Sequence, residues 1–139
     1  MNALKSPKVV VIGAGAIGGL FGGLLSEGGL DVTLVDVNQA HIDAIAMNGL
    51  KIVGYGGDRF IDIKATTDPK MAGVGDIVIV QCKATHTENA VKNALPVFGD
   101  HTIVVSFQNG IGNEEVIAGI IGDERVIGGL TAQAAIVEG

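Results

Sequence analysis

The spacing of hydrophobic and polar positions changes period repeatedly along the chain. Lys8-Val-Val-Val-Ile12 is a short, unbroken, β-branched run between Pro7 and Gly13, which predicts a strand buried on both faces. Ile17, Leu20, Phe21, Leu24 and Leu25 then recur at helical spacing, with Gly18, Gly19, Gly22 and Gly23 on the opposite stripe. A glycine inside a helix costs about 0.8–1.0 kcal/mol relative to alanine, so a close approach of neighbouring backbone is expected to offset these four. Residues 32–36 predict a second strand. Asn38 then caps a helix carrying Ile42, Ile45 and Ala46, which stops at Asn48-Gly49.

Residues 50–53 and 59–63 alternate partly and flank a turn-rich stretch, which predicts a hairpin or a pair of short strands. Residues 76–80 predict a buried strand. Thr85 and Glu88 form a capping box for a helix with Val91, Ala94 and Leu95, ended by Pro96. A strand is expected over 101–105, a helix from Asn113 with Ile117, Ile120 and Ile121, and an extended segment over 126–136. Strand and helix alternate throughout, which predicts an α/β fold: a mainly parallel sheet covered on both faces. No internal repeat or domain boundary appears.

Composition narrows the partners. The 139 residues are 47% hydrophobic, with room for a real core. Glycine, at 22 residues, is about twice the average share of roughly 7%. A net charge of −6 argues against nucleic acid or an anionic membrane as the main partner. A phosphorylated small molecule remains compatible, because backbone N–H groups hold phosphate without net positive charge. The single Cys82 forbids an internal disulfide and fits a reducing, cytoplasmic setting. No zinc-type Cys/His spacing occurs, so no metal site is expected. Lys5 and Lys8 ahead of the uncharged residues 9–26 imitate a signal peptide, but six of those residues are glycine, and a binding motif accounts for their positions.

That motif is Gly13-Ala14-Gly15-Ala16-Ile17-Gly18, a G-x-G-x-x-G between the first strand and the first helix. The unit from Lys8 to Asp36 spans 29 residues, close to the ~30 of a dinucleotide-binding βαβ unit, and Asp36 ends the second strand. Gly13 permits the tight turn, Gly15 lets backbone approach a pyrophosphate, and Gly18 lets helix and strand pack closely. The diphosphate would sit at the positive end of the helix dipole, with Asp36 accepting the ribose hydroxyls. The fold expected is thus a Rossmann-type doubly wound sheet, with residues 1–139 as one dinucleotide-binding domain. A glycine-rich turn without a ligand is the competing structural reading.

The same glycine segment, Cys82-Lys83-Ala84, Gln108-Asn-Gly-Ile-Gly112 and Gly129-Leu-Thr-Ala-Gln-Ala-Ala135 together resemble the ketopantoate reductases, over only the N-terminal half of such an enzyme. The resemblance implies that residues 13–18 hold the pyrophosphate of NAD(P)H and that Lys83, Asn109 and Ala135 line the nicotinamide side. It also implies a small 2-keto acid substrate reduced to a 2-hydroxy acid. The general-acid lysine and substrate-carboxylate contacts of the family belong to a helical C-terminal catalytic domain, expected here but absent from this chain, so the chain alone is expected to be inactive. A homodimer covering that missing interface is a further expectation. Many family members use NADPH and carry a basic residue just after the second strand. Asp36, followed by Val37, Asn38 and Gln39, departs from that pattern and favours NAD.

On their own spacing, Lys83 and Asn109 each follow a buried strand, where α/β sheets bind ligands; a solvated lysine and an Asn-Gly turn are the ordinary alternatives. His86 is expected to be solvated in a first helical turn. His41 and His101 have no partner pattern and are expected at the surface, and Cys82 reads as a buried small hydrophobe. Two other functions fit the first βαβ unit. One is a non-catalytic NAD-sensing module of a channel or transporter. It would turn helical soon after Gly57-Asp58, whereas residues 59–65 read as more strand. The other is the first half of another hydroxyacid or polyol-phosphate dehydrogenase.

Overall fold

The computed structural model describes residues 7–53, 57–81, 87–106, 117, 119–121 and 126–128. Its core is a six-stranded parallel sheet. In chain order the elements are β1 (Lys8–Ile12), α1 (Ala16–Glu27), β2 (Asp31–Val35), α2 (Gln39–Asn48), β3 (Leu50–Ile52), β4 (Arg59–Ile61), β5 (Lys64–Thr66), α3 (Pro69–Ala72), β6 (Gly75–Val80), α4 (Thr87–Asn93), β7 (Phe98–Ser106) and β8 (Val126–Gly128). A 3₁₀ turn, Leu95–Val97, joins α4 to β7. The strands lie in the order β5-β2-β1-β6-β7-β8. The chain thus winds outward one way from β1 and then outward the other way from β6, as in dinucleotide-binding doubly wound sheets.

Side chains alternate between the two faces of the sheet, and each face has its own core. Val9, Val11, Val32, Leu34 and Ile79 pack with Ile42 and Ile45 of α2 and with Leu50. Val10, Ile12, Val78, Val80 and Val104 pack with Ala72 of α3, Val91 of α4, Val97 and Ile117. Strands buried on both sides are apolar at every position, which is why residues 9–12 and 77–80 read as unbroken runs.

Helix α1 faces the opposite way from what its large residues imply. Leu20, Phe21 and Leu24 are half-buried, whereas Gly18, Gly19, Gly22 and Gly23 are buried. A methyl on Gly22 would lie 2.6 Å from Leu34 Cδ2, and one on Gly23 would lie 2.9 Å from Ile52 Cδ1 and 3.0 Å from Leu50 Cδ2. The glycine stripe lets the helix axis sit low over β1, β2 and the hairpin, and dispersion across that short gap offsets the weak helix propensity.

The hairpin forms as β3 and β4, antiparallel and outside the main sheet. The apolar run after it splits. Residues 59–61 stay with β3, while residues 64–66 join β2 in parallel, so what reads as one strand serves two sheets. Residues 59–66 remain strand-like, unlike the sensing-module pattern. Arg59 ties the hairpin back to the end of α1 through Glu27, at 2.6 and 2.7 Å. Its hydrogen bond holds the Glu27 carboxyl below its ordinary range and raises the Arg59 guanidinium. The tie therefore contributes at and above the ordinary carboxylate range and is lost as pH falls through the lowered value.

The one-turn helix α3 went unread in the sequence although its signals are there. Asp68 caps it by accepting from Lys70 N at 3.0 Å, Pro69 opens it, and Gly73 ends it at φ 76°. Strand β7 begins at Phe98 rather than at residue 101, with a register shift against β6. The hydroxyl of buried Thr102 bridges that irregularity, accepting from Gly99 N and donating to Gly75 O, both at 2.7 Å. Thr102→Val keeps the shape and removes both of these hydrogen bonds. It is expected to cost about 1–3 kcal/mol in a denaturant titration, and an unchanged midpoint would contradict the bridging role.

Among the described residues no helix is long and apolar enough to cross a membrane, and no group of three or more His, Cys, Asp or Glu could hold a metal ion.

Candidate functional site

The order of the strands reverses between β1 and β6, and the crevice beyond their carboxyl ends is where such sheets bind ligands. The glycine loop fills that position. Gly13 turns out of β1 at φ 99°, a left-handed conformation that glycine adopts freely, and its N–H donates to Val35 O at 2.8 Å. Gln81, leaving β6 beside it, donates its N–H to Ile12 O at 2.8 Å. Gly18 packs directly on the turn. A methyl there would be driven into the Gly13 carbonyl oxygen and would lie 3.4 Å from Gln81 Cβ. Gly13 and Gly18 thus meet the steric demands derived from the motif.

Gly15 differs from both. It is the N-cap of α1 without a side-chain cap, it is exposed, and a methyl built on it has nothing within 4 Å. Backbone lies bare there beside a helix start whose first N–H groups have no intrahelical acceptors. This is the contour required by a pyrophosphate that approaches the main chain closely, so the residues present fit a dinucleotide.

Asp36 follows β2, and its backbone N–H donates to Thr66 O at 3.2 Å. Its carboxylate turns toward the loop. Oδ2 accepts from Ala14 N at 2.7 Å and Oδ1 from Asn38 N at 3.0 Å. The carboxylate is therefore fixed in orientation, and each oxygen keeps a second lone pair for another donor. Asn38 also accepts from His41 N at 3.1 Å, which caps α2 as the sequence predicts.

His41 corrects the sequence reading. It is half-buried, and its Nε2 lies 2.6 Å from the Ala14 carbonyl oxygen. A carbonyl only accepts, so Nε2 is the donor. The only available signal was position: His41 is three residues past the cap, in the turn of α2 nearest the carboxyl edge. His101 is exposed on β7, as expected. Lys83, Asn109 and Ala135 lie outside the described residues, as do Cys82, Thr85 and His86. Gln81 and Ser106, the last described residues of the segments leading to Lys83 and Asn109, stand at the carboxyl edge. An open depression lined by Ser26, Leu30, Asp31, Asp62 and Lys64 lies at the amino ends of β2 and β5, away from this constellation.

The profile of the family described as ketopantoate reductase PanE/ApbA matches residues 9–139. A 2-dehydropantoate 2-reductase of Pyrococcus horikoshii is 44% identical over 131 residues, which are 94% of this chain and 42% of that protein. The crystal structure of a 2-dehydropantoate 2-reductase from Geobacter metallireducens superposes with a TM-score of 0.78 at 35% identity, covering 86% of this chain and 40% of the other. A ternary structure of D-mandelate dehydrogenase with NADH and anilino(oxo)acetate superposes with a TM-score of 0.88 at 29% identity, covering 95% and 43%. The chain spans about two-fifths of the length of the relatives it matches.

Proposed function

The chain belongs to the ketopantoate reductase family, and on that footing we propose that it is the NADH-holding part of an oxidoreductase that reduces a small 2-keto acid to a 2-hydroxy acid. The observation that carries this is the bare Gly15 backbone at the strand-order reversal, with a fixed carboxylate beside it. N–H groups of the loop and of the first turn of α1 hold the pyrophosphate. Asp36 takes the ribose hydroxyls on its remaining lone pairs. Lys83 and Asn109, with Ala135, orient the nicotinamide side. A dinucleotide held in this way would supply the hydride for the keto carbon.

The preference for NADH rests on Asp36. Its carboxylate is directed by Ala14 and Asn38, and no lysine or arginine occurs among residues 37–39. A 2′-phosphate would meet a like charge there, while a free hydroxyl donates to it. D-mandelate dehydrogenase, with NADH in its structure, supports the same reading.

Reduction also needs a proton for the developing alkoxide, a step typically worth 10²–10⁴-fold. Lys83 is assigned to the cofactor side, and the resemblance to the ketopantoate reductases implies that the donor is a lysine of a helical C-terminal catalytic domain. The test is NADH oxidation by residues 1–139 with ketopantoate, alongside NADH titration. The chain is expected to bind NADH without turnover. Turnover at enzyme-like rates would put the proton donor within this chain, Lys83 first, and an absence of binding would overturn the cofactor reading.

A further inference from the structure

Two side chains from one short stretch grip a single residue of the glycine loop. Asp36 Oδ2 accepts the Ala14 N–H at 2.7 Å, and His41 Nε2 donates to the Ala14 carbonyl at 2.6 Å. Asn38 joins the two, since its N–H donates to Asp36 Oδ1 and its Oδ1 accepts from His41 N. The Ala14 methyl is buried in the core beneath the loop. The residue is therefore held at its side chain and at both of its backbone polar groups.

The second of these grips sets the direction of the next amide. No peptide bond among the described residues is cis. In a trans peptide the C=O and N–H of one plane point opposite ways. Directing the Ala14 carbonyl at His41 sends the Gly15 N–H away from α2. Gly15 stands on the open side of the loop, with no neighbour near its Cβ position. Without the imidazole donor, the buried end of that peptide loses its partner, and the plane can turn. A turned plane presents a carbonyl oxygen where an anion would lie.

We propose that His41 is a positioning residue for the dinucleotide loop: its Nε2–H locks the Ala14–Gly15 peptide in the orientation that turns the Gly15 N–H away from α2 and toward the pyrophosphate. This rests on the NADH reading above and deepens it. His41 itself contacts neither the reacting atoms nor the dinucleotide. It acts through the peptide it holds.

The test compares His41→Leu, His41→Asn and His41→Gln with the wild-type chain by NADH titration and thermal melting. Thr102→Val, remote from the loop, serves as the stability control. Glutamine extends an N–H donor nearly as far as imidazole Nε2, whereas asparagine is too short and leucine has none. His41→Leu and His41→Asn are expected to weaken NADH binding about tenfold, as when only a tenth of the loops keep the competent plane. His41→Gln should bind within about threefold of wild type. Thr102→Val should lower Tm at least as much with Kd unchanged. If the leucine variant does not fold, the Gln/Asn pair decides alone. Equal affinity across the His41 series overturns the proposal, as does an Asn variant that binds as well as the Gln variant. Loss of affinity in step with Tm, Thr102→Val included, also overturns it. Failure of the wild-type chain to bind NADH overturns the cofactor reading and this inference together.

Discussion

Gly15→Ala is expected to leave the fold standing while it weakens dinucleotide binding, and Gly18→Ala is expected to disrupt both. The two substitutions add the same methyl group three residues apart. At Gly15, φ is −74° and ψ is −158°, a conformation open to alanine, and the methyl meets nothing within 4 Å. Losing glycine at an N-cap costs about 1 kcal/mol or less. The methyl then occupies the space in which the pyrophosphate would touch the backbone. Overpacking of this kind costs about 1–3 kcal/mol, so affinity for NADH should fall at least about fivefold. At Gly18 the same methyl is driven into the Gly13 carbonyl oxygen, and backbone cannot swing aside as a flexible side chain does. Lifting the helix to make room would give up the close contacts of Gly22 and Gly23 with Leu34, Leu50 and Ile52. A loss of about 3 kcal/mol or more is expected in a denaturant titration. Equal behaviour of the two variants in both assays would mean that the loop is a plain turn.

Asp36→Asn is expected to erase the discrimination between NADH and NADPH. In the wild-type chain the fixed carboxylate should favour NADH by at least about 1.4 kcal/mol, or tenfold. Asparagine keeps the shape and one acceptor oxygen, enough for the Ala14 N–H, but turns an amide NH₂ toward the Asn38 N–H. Removing the charge removes the repulsion of a 2′-phosphate, so the two cofactors should bind within about threefold of each other. NADH itself should weaken a few-fold, because a charged acceptor is replaced by a neutral one. Equal or tighter NADPH binding by the wild-type chain would mean that Asp36 serves only to hold the loop.

The geometry of the glycine loop is legible in the sequence. The glycine spacing and Asp36 carry steric and hydrogen-bonding demands that are local, and Gly13 and Gly18 meet them in the fold. The cap at Asn38 and the antiparallel pairing of residues 50–52 with 59–61 were legible for the same reason. What escaped depends on contacts between distant segments. At α1 the close approach expected at the four glycines is present, and what the pattern does not record is the identity of the partners Leu34, Leu50 and Ile52. The division of residues 59–66 between two sheets follows from the β2 edge being free to receive Lys64–Thr66, which no local pattern records. His41 looked like a surface residue because its partner is a backbone carbonyl 27 residues earlier.

The proposed seat of the dinucleotide is the carboxyl edge around the glycine loop. Amide chemical-shift mapping of the isotopically labelled chain during an NADH titration tests it most directly. Saturable changes are expected, largest at Gly13, Ala14, Gly15, Gly18 and Asp36, with Ser26, Asp31 and Lys64 at the opposite end of the sheet unmoved. Changes centred on that opposite depression, or saturable binding that leaves the glycine loop unperturbed, would contradict it.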